Sequence, residues 1–136
     1  MDVLFVCVHN AGRSQMAEAV FNAEAARRGL PVRATSAGTI AGATVNPTAI
    51  QAIAELGLDM RDARPKQLTQ DMVAEARRIV TMGCGVDAAA CPARFMVTED
   101  WGLDDPAGQS LEVVRRIRDQ VALRVSRLLD ELEGKE

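Results

Sequence analysis

The stretch that decides the fold is Val3-Leu4-Phe5-Val6-Cys7-Val8, followed by His9-Asn10-Ala11-Gly12-Arg13-Ser14 and then Gln15-Met16-Ala17-Glu18-Ala19-Val20-Phe21. The first part is an unbroken, β-branched apolar run, as expected of a strand buried on both faces of a parallel sheet. The second part is short and turn-forming. The third is rich in helix formers and continues to Arg27-Arg28, stopping at Gly29. Ser14 reads as the N-cap of this helix and Gly29 as its C-terminal stop. The chain therefore opens strand, tight loop, helix.

The same alternation continues outward. Val32 to Ser36 reads as a second strand, ended by Gly38, and Asn46-Pro47 opens a second helix that Gly57 closes. A third helix is expected from Thr69 to Ala76, feeding a strand from Arg78 to Met82, and Phe95 to Thr98 supplies a fourth strand. In the last helix Leu111, Val114, Ile117, Val121, Val125, Leu128 and Leu132 recur at steps of three and four, which makes one stripe of core packing. Alternating strands and helices predict an α/β fold: a four-stranded parallel sheet, doubly wound, with right-handed crossovers and helices on both faces. Ligands of such sheets bind beyond the carboxyl ends of the strands. The first loop, the segment Gly83 to Pro92 and the loop Trp101 to Gly108 all follow strands, so they should gather at that rim.

The chain has 136 residues, enough for one domain spanning 1–136 with a core that needs no disulfide. Apolar residues make up 48% and charged residues 26%, which argues against wholesale disorder. A net charge of −3, with no block of like charges, excludes the basic surface that nucleic acid or an anionic membrane requires. No apolar run approaches the ~18 residues of a membrane span. The N-terminal run is too short for a signal core and has Asp2 in front of it. A cytoplasmic monomer is expected. Three cysteines in a reducing compartment read as catalytic, redox or metal-binding.

Cys7 and Arg13 bracket the loop. A loop that leaves a buried strand and enters a helix turns backbone N–H groups inward, beside the positive end of the helix dipole. The backbone of Val8, His9, Asn10, Ala11, Gly12 and Arg13 can so cradle a tetrahedral oxyanion, and such a cradle favours the thiolate of a cysteine at its base. Arg13 can grip two anion oxygens with its planar fork, and Ser14 can donate a hydrogen bond to the sulfur. The His9 side chain should point away from the anion. Asp104-Asp105-Pro106 places a carboxyl before a rigid proline at the same rim, where Asp105 can protonate a departing oxygen. An Asp-Pro pair is equally an ordinary turn. Cys84 and Cys91 do not have the spacing of a zinc knuckle, and His9 is the one histidine, so no metal is expected. A thiol pair near a third thiol suits disulfide exchange; two unconnected small buried residues are the other option.

Taken together, Val6-Cys7 through Arg13-Ser14-Gln15-Met16-Ala17-Glu18, Ser36-Ala37-Gly38, Val45-Asn46-Pro47, the Cys84 and Cys91 pair, and Trp101-Gly102-Leu103-Asp104-Asp105-Pro106-Ala107-Gly108 resemble the thioredoxin-coupled arsenate reductases. These share the low-molecular-weight protein tyrosine phosphatase fold. The resemblance covers nearly the whole chain. It implies a relay in which Cys7 attacks arsenate held by the loop and Arg13, with Asp105 protonating the leaving oxygen. Cys84 then attacks the Cys7 sulfur and expels arsenite, and Cys91 moves the disulfide to Cys84–Cys91, where thioredoxin reduces it. No bound cofactor is implied. The segment Gly83 to Pro92 is expected to move between states. Some relatives hold potassium behind the loop with groups matching Asn10, Glu18 and Ser36 plus an aspartate. Lys66 falls at that aspartate position, so its ammonium is expected to replace the cation.

A tyrosine phosphatase of the same fold would share Cys7, Arg13, Ser14 and Asp105. It would leave Cys84 and Cys91 unexplained, and the chain has no tyrosine beside Asp105-Pro106 and Gln15 where such phosphatases commonly carry proline. A reductase coupled to a small thiol would not need the internal pair. A non-catalytic arsenite-binding thiol sensor would use three soft ligands but neither Arg13 nor Asp105.

Overall fold

The computed structural model describes residues 1–83 and 99–134. Its elements run β1 (Val3–Cys7), α1 (Arg13–Arg27), β2 (Ala34–Gly38), α2 (Pro47–Ala54), α3 (Gln70–Glu75), β3 (Arg78–Thr81), β4 (Glu99–Asp100) and α4 (Leu111–Leu132). The strands form one parallel sheet in the order β2-β1-β3-β4. All of β1 is buried, as its apolar run requires of a central strand.

Side chains alternate across the sheet. Val3, Phe5, Cys7 and Val80 face α1, α2 and α4, whereas Leu4, Val6 and Ile79 face the other way, against Ala37, Leu68 and the α3 residues Met72 and Val73. Helices therefore cover both faces. Val114, Ile117, Val121, Val125 and Leu128 of the predicted α4 stripe are buried, with Leu129 beside them. Each contributes about 1.5–3 kcal/mol of transfer free energy if fully withdrawn from water. The chain leaves β1 through α1 on one face and reaches β3 through α3 on the other. That change of side opens a crevice between the carboxyl ends of β1 and β3, with Cys7 on one lip and Gly83 on the other.

The element boundaries differ from expectation in instructive ways. β1 ends at Cys7, because the Val8 carbonyl turns out to accept from Ile40 N–H at 2.8 Å. β2 begins two residues later than predicted and runs through Gly38, since its register with β1 starts at Val3 opposite Ala34. A Cβ on Gly38 would lie 2.6 Å from the Val8 carbonyl oxygen and 2.9 Å from the Asn10 nitrogen. Only glycine lets β2 pass so close under the first loop. α2 has the expected Asn46 N-cap but ends at Ala54, and the chain turns through Gly57 at φ 78°. α3 is one residue shorter at each end than the predicted Thr69 to Ala76, with Thr69 as its N-cap and Ala76 as its C-cap. The predicted strand Phe95 to Thr98 lies outside the described residues; β4 is the pair Glu99–Asp100 beside Val80 and Thr81.

Candidate active site

α1 starts at Arg13, two residues before the predicted helix, and Ser14 is not its cap. Gly12 occupies the N-cap position, no side chain caps the helix, and its first turn carries no acidic residue. The Ser14 hydroxyl is engaged elsewhere, 2.8 Å from Cys7 Sγ and accepting from Asn10 Nδ2 at 2.7 Å. The amides at the start of α1 therefore lack a side-chain partner beside the positive end of the dipole, which suits an anion.

Cys7 ends β1 and is buried, with Asn10 N–H donating to its sulfur at 3.2 Å. Asn10 sits in the left-handed region at φ 53°, the tight point of the loop. Its Oδ1 accepts from Gln15 Nε2 and from Lys66 N–H, both at 2.9 Å. Arg13 is buried, and its Nη1 donates to the carbonyls of Met82 at 3.2 Å and Leu103 at 3.0 Å. One carbonyl comes from the end of β3 and the other from the loop after β4, so two segments aim the guanidinium.

A small cavity of about 60 Å³ lies between Cys7, His9, Ala11, Gly12 and Arg13 on one side and Asn46, Asp105, Pro106 and Ala107 on the other. Trp101 and Leu103 root the Asp105 loop: both are buried, Trp101 packs 5.3 Å from the Phe5 ring, and Leu103 N–H donates to the Met82 carbonyl at 3.0 Å. Asp105 itself is exposed, with Oδ1 accepting from Ala107 N–H at 3.0 Å. Pro106 packs on the anion loop so closely that a Cβ on Gly12 would be 2.6 Å from its Cγ. Asn46 joins the two sides: its N–H donates to the Ala11 carbonyl at 2.7 Å and its Nδ2 to the Pro106 carbonyl at 3.4 Å.

Of the sequence-predicted site residues, Cys7, His9, Ala11, Gly12, Arg13 and Asp105 line this cavity. Val8 and Asn10 do not; Asn10 serves the sulfur from behind. The His9 ring is exposed and bonded through Nδ1 to the Ile40 carbonyl at 3.0 Å, although His9 also contributes to the cavity lining. Glu18, Ser36 and Lys66 form a cluster behind the loop, where Glu18 Oε1 accepts from Ser36 Oγ at 2.9 Å and from Lys66 Nζ at 3.1 Å. With an ammonium already beside Glu18, this cluster does not fit a further cation. Cys84 and Cys91 lie outside the described residues. Sequence reasoning gave no role to Gln15 and read Asn46 only as a helix cap. The signals for Gln15 were its polarity beside the apolar Met16 and Ala17 and its place where phosphatases of this fold commonly carry proline, neither of which names a partner.

This geometry sets a buried cysteine and a buried arginine beside the uncapped first amides of α1, an arrangement suited to a tetrahedral oxyanion. The chain belongs to the low-molecular-weight phosphotyrosine protein phosphatase family, whose model matches residues 2–136. It is similar to a putative arsenate reductase of Halobacterium salinarum, with 39% identity over 93% of this chain and 89% of that protein. A glutaredoxin arsenate reductase of Synechocystis is 36% identical over 93% of this chain and 95% of its own length. Among solved structures, an arsenate reductase in the phosphate-binding state is 35% identical, with a TM-score of 0.78 and coverage of 96% of this chain and 98% of that one.

Proposed function

We propose that this chain reduces arsenate to arsenite. The observation that carries the proposal is the small cavity with the Cys7 sulfur on one side and the exposed Asp105 on the other, flanked by an arginine held for an oxyanion. The names of its relatives support arsenate as the substrate.

The chemistry needs two electrons. Cys7 Sγ attacks arsenic(V), and Asp105 gives its proton to the oxygen that leaves as water. Cys84 then attacks Cys7 Sγ: the sulfur–sulfur bond forms, the sulfur–arsenic bond breaks, and its electron pair stays on arsenic as arsenite departs. Cys91 attacks Cys84 and releases the Cys7 thiolate. The remaining Cys84–Cys91 disulfide is reduced by a dithiol donor, thioredoxin, in two exchange steps. This assignment of Cys84 and Cys91 rests on the family resemblance and on their presence in the sequence. Lys66 acts as the built-in cation behind the loop. The protein works as a cytoplasmic monomer; among the described residues no helix is long and apolar enough to cross a membrane.

Hydrolysis of a phosphate ester is the second activity this site favours, since the family is one of phosphatases and the first chemical step is the same. Against an aryl substrate, Phe5, Phe21 and Trp101 are all buried, and no aromatic residue among the described ones lines the cavity.

Arsenate-dependent NADPH oxidation, coupled through thioredoxin and thioredoxin reductase and in a parallel arm through glutaredoxin and glutathione, tests the proposal. Wild type should turn over repeatedly with thioredoxin and at equal rates in sodium and potassium. Cys7→Ser should be dead towards arsenate and phosphate esters, and Cys91→Ser should stop after one turnover. Undiminished turnover of Cys91→Ser would remove Cys91 from the relay; no turnover with either donor would leave the phosphatase.

A further inference from the structure

We propose that Gln15 is a positioning residue for the nucleophile. With the backbone of Arg64 and Lys66 it fixes the direction of a hydrogen-bond chain that ends by aiming the Ser14 proton at the Cys7 sulfur.

Gln15 is 2% exposed and lies in the first turn of α1. Its Nε2 donates to the Arg64 carbonyl and to Asn10 Oδ1, each at 2.9 Å. A backbone carbonyl only accepts, so the end of the Gln15 amide facing Arg64 has to be the NH₂. The atom of Asn10 that meets this NH₂ also meets the Lys66 N–H at 2.9 Å, and a backbone N–H only donates. That atom is therefore Oδ1. The Asn10 amide cannot flip, and its Nδ2 must face Ser14 Oγ, 2.7 Å away. Ser14 Oγ is then an acceptor towards Asn10, which leaves its proton for Cys7 Sγ at 2.8 Å. Geometry alone allows either partner of that contact to donate; the two backbone groups of the 64–66 strap resolve it.

Losing Gln15 leaves Asn10 Oδ1 with Lys66 alone. Asn10 holds an unfavourable backbone conformation, φ 53°, and its own N–H is the second donor to the sulfur. Strained positions of this kind persist only when several contacts determine them. Loosening the side chain thus weakens both donors to Cys7. An apolar side chain at position 15, or the ring of a proline, supplies no such amide. This role concerns the thiol before any substrate arrives, so it does not depend on which oxyanion is turned over.

The test uses Cys84→Ser/Cys91→Ser protein, in which Cys7 is the one remaining thiol, and follows its alkylation by iodoacetamide with mass spectrometry. Gln15→Met is expected to slow alkylation at pH 6 about tenfold, the scale of one hydrogen bond to a charged group. At pH 9 its rate should stay within about twofold of the parent. Ser14→Ala should slow the pH 6 reaction similarly, and adding Gln15→Met to it should cost little more, because both act on one chain. Parent rates in a folded Gln15→Met protein, or losses that multiply in the double variant, overturn the proposal. If Gln15→Met fails to fold by circular dichroism, NMR on the parent decides: slow solvent exchange of the Asn10 and Gln15 carboxamide protons, with shifts on alkylation of Cys7, supports it. Fast exchange or unchanged shifts sink it. No arsenate is consumed, so the outcome is separable from that of the reductase assay.

Discussion

The Cys7 side of the cavity and the Asp105 side are built to opposite specifications. Cys7, Asn10, Arg13, Ser14 and Gln15 are all buried, and every buried side-chain nitrogen or oxygen among the described residues has a hydrogen-bond partner. Asp105 is exposed, held by one short turn and by the packing of Pro106 on Gly12. A thiolate gains from fixed donors that need no reorganisation when it attacks. An acid that must be reprotonated each cycle gains from contact with water. Rigidity and access are thus divided between two loops, joined by Asn46.

Adding the same methyl group to each side sharpens that contrast. Gly38→Ala drives a Cβ against the backbone of the anion loop, with nothing flexible to yield. It should destabilise the fold by about 2–3 kcal/mol in urea titrations and abolish protection of Cys7 from alkylation by phosphate. Gly12→Ala meets the ring of Pro106, which is buried but flanked by the exposed Asp105 and Ala107, so this turn has room to shift. Its stability should change by less than about 1 kcal/mol, while turnover falls about tenfold to a hundredfold as Asp105 is displaced. Cys7 alkylation should be unaffected. Equal losses of stability in the two variants would erase the distinction between the sides.

The smallest effect is expected far from both. Arg115 and Arg118 hydrogen-bond Glu55 and hold its carboxyl at about 2, below the ordinary 4.5, tying the end of α2 to α4. A carboxyl depressed in the folded state stabilises fully above its unfolded value, and that contribution disappears as pH falls towards the folded one. Glu55→Gln should therefore melt slightly below wild type at pH 7, and the gap should close between pH 4.5 and 2. A gap that persists at low pH would make the contact one of shape rather than charge.

The parts of the molecule legible in the sequence are those encoded locally. The β1 run announced itself by its unbroken apolar character, the first loop by its turn-forming residues and the α4 stripe by its periodicity, and Cys7, Arg13 and Asp105 by their positions after strands. The parts that escaped depend on distant partners. Ser14 has the composition of a cap, yet Cys7 and Asn10 claim its hydroxyl. Gln15 takes its meaning from the Arg64 carbonyl, and Asn46 from those loops it joins. The extent of β2 was set by register against β1, which no property of Val32 or Pro31 reveals.

One consequence of the uncapped start of α1 reaches beyond catalysis. An oxyanion seated there serves as the missing cap, so occupancy and foldedness become thermodynamically linked. At a hundred times its dissociation constant such an anion would add about 2.7 kcal/mol to global stability. The fold would thereby be sturdiest wherever that oxyanion is abundant.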